Sequence, residues 1–172
     1  MAGHNQYRGS RLVASAVAAA AFGAAMLAPV CATASPVAHA AAKVAFSGKY
    51  SGHASVTVSG TSVTISSVTG TGTATDGMTK LAGANGSGTT SGTCAFFSGP
   101  GTLSGTGGRL SLAVKSSSSG CGSGNQISVK GSATVKGVSG KLKKAKGTVT
   151  FTGTYNKTTG NFTITISGPL TT

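Results

Sequence analysis

Acidic residues are almost missing from this chain: one aspartate and no glutamate stand against 14 lysines and arginines in 172 residues. A single carboxylate excludes the paired-carboxylate chemistry of glycoside hydrolysis within one chain. His53 and Asp76 are also too few to build a metal site from protein ligands. Tryptophan is absent, proline occurs four times, and aromatic residues make up 5% of the chain. The glycine-rich stretches Gly83–Gly88 and Gly105–Gly108 lack the G-x-x-x-x-G-K-[ST] spacing of a phosphate-binding loop, so they read as turns. His53, Asp76 and the many serines follow the chain order of one class of serine protease. A triad is defined by geometry rather than order, however, and no recognisable nucleophile loop follows. No catalytic residue, metal or cofactor is expected.

Long apolar runs are confined to the first 40 residues. Arg8 and Arg11 precede an alanine-rich stretch from Leu12 to Ala28, and the small-x-small sites Ala32-Thr33-Ala34 and Ala38-His39-Ala40 follow. Charged start, apolar middle and small-residue exit describe a secretory signal peptide over residues 1–40, cleaved after Ala40 or after Ala34. The apolar stretch falls short of the ~20 residues that span a bilayer. Residues 41–172 then form a single secreted or cell-envelope domain.

Losing that segment removes Cys31 and leaves Cys94 and Cys121. One even pair in an exported chain predicts a disulfide. There is no C-x-x-C spacing to suggest a redox thiol.

What the chain does have is alternation. Between Gly147 and Gly168, Val149, Phe151 and Tyr155 alternate with Thr148, Thr150, Thr152 and Thr154. After a polar break, Phe162, Ile164 and Ile166 alternate with Thr163, Thr165 and Ser167. Successive strand side chains point to opposite faces, so each segment has one apolar and one hydroxyl face. A four-residue loop, Lys157–Gly160 with Gly160 left-handed, would set Tyr155 opposite Phe162 and Phe151 opposite Ile166. A second hairpin is expected around Gly60-Thr61 as a type II′ turn, with Val58 facing Val63 and Val56 facing Ile65.

Thr69–Thr75 carries threonine on one face and only glycine or alanine on the other, which suits close backbone packing. Further short strands are expected at Val44–Tyr50, Met78–Leu81, Cys94–Phe97 and around Leu110–Val114. Asn85–Gly92 and Ser116–Gly124 read as turn and loop. The sum is an all-β domain of about eight to ten short antiparallel strands, in a small barrel or a sandwich.

The run Val138-Ser139-Gly140-Lys141-Leu142, with Ala145, Gly147-Thr148, Phe151–Tyr155 and Thr159–Thr163, resembles the terminal hairpins of small exported bacterial Gly/Ser/Thr-rich β proteins. Some of these are similar to the allene-oxide-cyclase-like barrels of the calycin group. The resemblance covers about Ser132 to Gly168 and implies a calycin-like barrel with a small cavity. It places no catalytic residue on this chain.

Without Arg8 and Arg11, twelve cations face Asp76 alone, a net charge of +11. Half of them, Lys130, Lys136, Lys141, Lys143, Lys144 and Lys146, fall within seventeen residues. Such a basic patch suits anionic cell-envelope polymers or lipids. Without interleaved arginines or aromatics, nucleic acid is a poor partner. Lysines can equally guard an exposed sheet edge against aggregation.

The first expectation is therefore a non-enzymatic exported protein that binds anionic surfaces through its lysines. The alternative is a carrier of a small lipophilic ligand, with Phe46, Phe151 and Ile164 lining an internal cavity. An enzyme of unknown class ranks behind both.

Overall fold

The computed structural model describes residues 42–172; the expected signal peptide, its cleavage sites and Cys31 lie outside them. Nine strands follow one another in an antiparallel sheet. They are β1 (Lys43–Ser59), β2 (Ser62–Ala74), β3 (Met78–Gly83), β4 (Gly86–Ser91), β5 (Cys94–Gly105), β6 (Gly108–Cys121), β7 (Gln126–Gly140), β8 (Lys146–Asn156) and β9 (Asn161–Thr171). The sheet closes because β1 pairs with both β2 and β9.

β3 and β4 occupy one position in the wall. β2 meets β3 over Val68–Thr71 and β4 over Ser62–Ile65, while β5 pairs with both in turn. They are one strand broken at Ala84-Asn85, where Asn85 takes a positive φ of 57°. The result is a closed, eight-stave, up-and-down barrel, which leaves few of the open edges that would invite pairing with other chains.

The alternation in the sequence became the two faces of the wall. Val149 and Phe151 are buried in the lumen, while Thr148, Thr150 and Thr152 face solvent. Tyr155 stands opposite Phe162 and Phe151 opposite Ile166, as the loop length required. Gly160 has φ 71°, and the Asn156 side-chain oxygen accepts hydrogen bonds from the Thr158 and Thr159 amides. In the first hairpin Val58 pairs with Val63 and Val56 with Ile65. Gly60 has a positive φ and Thr61 does not, which fits type II′ rather than I′.

The strands run longer than the short ones expected, up to 17 residues in β1, β5 continues through Gly99-Pro100-Gly101, and two segments read as turn and loop are strand. Gly86–Ser91 is strand β4, although four of its six residues are glycine or serine, because β2 and β5 flank it with ladder partners on both sides. Ser116–Cys121 belongs to β6 and not to a loop. Its ladder to β7 skips between Val114 and Ser119, and the buried Ser118 hydroxyl fills the gap by bonding the Ser132 amide and carbonyl. A side chain that pairs backbone groups in this way lets a serine-rich bulge run inside the wall.

Both ends of the lumen are apolar, but only one is full. Beneath the β2–β3, β5–β6 and β7–β8 turns, Phe46, Tyr50, Met78, Leu103, Leu110 and Leu170 are almost completely buried. Leu142 and Ala145 fold inward from the β7–β8 turn and cork this end. The Tyr50 hydroxyl donates to the Met78 carbonyl at 2.9 Å, and burial pushes its pKa up from 10.0 to about 12.

Candidate functional site

Toward the other end, beneath the β1–β2, β4–β5, β6–β7 and β8–β9 turns, the barrel is hollow. A cavity of about 200 Å³ lies among side chains contributed by every stave. Val56, Ile65, Val114, Ile127, Val129 and Ile164 point into it and are only partly buried. Phe97 and Phe151 form part of its wall, with ring centroids 6.5 Å apart.

Small residues make the space. The glycine face of β2 leaves room for a ring, since a Cβ on Gly70 would stand 2.9 Å from Phe162 Cζ. Ala54, Ala95, Gly99 and Gly120 also line the hollow. Side-chain volume is the cause: Phe46, Tyr50, Met78, Leu103, Leu110 and Leu170 fill the corked half, while in the hollow half Phe97, Phe151 and Phe162 share the lumen with Val, Ile, Ala and Gly positions too small to fill it. Sequence alternation marks both halves as inward and cannot tell filled from empty.

Polar groups are few in the hollow. The Tyr155 hydroxyl lies 3.5 Å from the Ala54 carbonyl oxygen, a long hydrogen bond, and burial raises its pKa. None of the twelve described cations lines the cavity, and all twelve are exposed. The site therefore offers apolar contact to a neutral group and no countercharge to an ionised one.

One side of the mouth is framed by an open edge. β9 pairs with β1 only as far as His53–Asn161, and the Ala54 amide donates one more bond to the Gly160 carbonyl. Beyond that point β1 rises past its neighbour, and Val58 at the tip is 56% exposed. The β1–β2 ladder shifts register between Ser55 and Val56, where Ser66 is the extra residue on β2 and its hydroxyl donates to the Ser55 carbonyl at 3.3 Å.

Of the residues expected to line a carrier cavity, Phe151 and Ile164 do so, whereas Phe46 lies in the packed half. Phe97, Val114 and Val129 are also part of the wall; Val114 and Val129 stand in alternating stretches of β6 and β7, whereas Phe97 ends the unbroken apolar run Cys94–Phe97. Cys94 and Cys121 form the disulfide, as a directly opposed pair on β5 and β6 near the mouth.

His53 and Asp76 are not brought together. His53 pairs with Thr69 in the middle of β2, and Asp76 sits seven residues further on, in the turn beyond the end of that strand. Among the described residues, no three His, Cys, Asp or Glu side chains gather.

The lysines divide. Lys136, Lys141, Lys143, Lys144 and Lys146 all lie at the corked end, exposed, on the last turn of wall and the β7–β8 turn. Lys130 is separate, halfway up β7 opposite Thr152. No described helix is long and apolar enough to cross a membrane. The hydroxyl and lysine exterior with an apolar lumen is also the inverse of a lipid-facing barrel.

Compared with known proteins, the chain matches no protein-family model, no curated protein and no solved structure.

Proposed function

We propose that this chain is an exported, non-enzymatic, calycin-like carrier that holds a small, neutral, apolar molecule in the hollow half of its barrel. The observation that carries this reading is the cavity of about 200 Å³ lined by partly buried Val, Ile and Phe side chains. Apolar surface left facing a void loses dispersion contacts and gains about 25 cal/mol for each Å² that a ligand covers. Cavities of ~150 Å³ lined by such side chains stay dry and take up benzene. A slightly larger one suits ligands from one aromatic ring to a compact bicyclic hydrocarbon. The bare acid–base inventory and the exterior position of every described cation favour retention of an uncharged guest over its conversion. The disulfide beside the mouth fits an oxidising compartment.

The test is calorimetric titration of the protein with a size series: benzene, toluene, naphthalene and a long-chain alkane. Binding should be saturable, one to one, and strongest for the middle members. Val129→Phe, which fills the hollow, should abolish it while leaving the fold intact. Absence of binding across the series, or binding that Val129→Phe leaves unchanged, would rule the carrier out.

A further inference from the structure

We propose that the corked end of the barrel is a docking band for a flexible linear polyanion, independent of the cavity at the other end. Three observations carry it.

The β7–β8 turn is built so that its two apolar residues and its lysines take opposite sides. Leu142 is 3% exposed and Ala145 fully buried as the cork, so Lys141, Lys143, Lys144 and Lys146 are all directed outward. Closing the barrel and presenting the cations are one structural act.

The second observation is a transverse row. Lys136 stands opposite Lys146, Lys146 opposite Thr171, and Thr171 opposite Lys43. The row crosses four of the eight staves, β7, β8, β9 and β1, on the outer face. Neighbouring strands lie about 4.8 Å apart, so the lysines follow the curve of the wall at one and two strand spacings. Arg109, opposite Ser139 on β7, extends the basic surface to β6.

Third, the arrangement costs the fold something. Like charges directly opposed across two strands are destabilising, and Lys136–Lys146 is such a pair. Asp76, the chain's only acid, sits at the same end but in the β2–β3 turn against Gly107, away from this pair. Nor do these lysines guard a sheet edge: β7 is paired on both sides by β6 and β8, and β8 by β7 and β9. A bound polyanion would relieve the repulsion.

The shape selects among anionic partners. A planar bilayer cannot follow a row that wraps four staves, and the apolar residues of the turn point into the barrel instead of toward a membrane. The exposed large apolar side chain beside the band is Val138, at 49%. No aromatic residue stands among these cations to stack on bases, so nucleobases are not read. What remains is a phosphate- or carboxylate-bearing chain recognised through its charge and its ability to bend.

Long-chain inorganic polyphosphate is the probe, with binding measured by calorimetry at several salt concentrations. The row variant Lys43→Gln/Lys136→Gln/Lys146→Gln is compared with Lys115→Gln/Lys130→Gln/Lys157→Gln, which removes the same charge elsewhere. The row variant should weaken binding about tenfold or more and reduce the salt slope by roughly 2, at ~0.7 per lost contact. The control should lose no more than about threefold. Equal losses in the two variants would reduce the effect to net charge and overturn the proposal. So would tighter, row-dependent binding to phosphatidylglycerol vesicles or to single-stranded DNA than to polyphosphate. Because toluene binding in the hollow should be unchanged in the row variant, failure here leaves the carrier reading untouched.

Discussion

Gly131 on β7 lies directly opposite Phe151 on β8, and a Cβ built at Gly131 would stand 2.6 Å from Phe151 Cζ. The missing side chain leaves room for the phenyl ring on one strand and, closer still, for the buried Ser118 side chain on β6. Gly131→Ala should therefore destabilise the barrel by about 1–3 kcal/mol through overpacking, seen as a lower denaturant midpoint with an unchanged slope.

Truncating the ring acts in the opposite sense on volume. Phe151→Ala should cost about 3–5 kcal/mol, because it enlarges an existing void. Thr150→Ser, one residue away on the solvent face, should cost well under ~1 kcal/mol. Equal losses in chemical denaturation would mean that the hydroxyl face and not the apolar face carries the packing.

Cys94 and Cys121 close a loop across two already paired strands. Thiol titration of the denatured protein should find no free cysteine among residues 41–172. Reduction should lower stability by about 3 kcal/mol on the chain-entropy model, without abolishing the barrel. Two reactive thiols before reduction would contradict the bond.

Tyr50 gives the fold an alkaline limit. Its folded pKa of about 12 lies above the ordinary tyrosine value of 10.0, because burial disfavours the phenolate. The unfolded chain loses this proton first as pH rises, so the contribution is complete below about pH 10 and falls away between pH 10 and 12. Urea midpoints measured at pH 9 and pH 11.5 should show the drop. Tyr50→Phe should lose about 1 kcal/mol at pH 7 with the bond to Met78, and should show a smaller fall over the same interval.

The sequence by itself determined the material and the local register. Period-two alternation fixed which side chains of β8 and β9 face inward, since a strand has only two faces. The spacing between Tyr155 and Phe162, with Gly160 free to take positive φ, fixed their pairing. The even cysteine pair anticipated the disulfide. These are short-range facts, set by covalent geometry and a few neighbouring residues.

Only the tertiary structure decided the rest. Gly86–Ser91 and Ser116–Cys121 carry little strand signal of their own and become strands because flanking staves supply hydrogen-bond partners. That β3 and β4 share one stave depends on β2 and β5 being long enough to pair with both. Whether an inward residue meets a neighbour or a void depends on the side chains reaching across from seven other staves. For that reason Phe46 packs while Ile164 lines a cavity, though both alternate in the same way. Five clustered lysines gathered at the corked end while Lys130 did not, because strand β7 carries residues six apart about 20 Å along the wall.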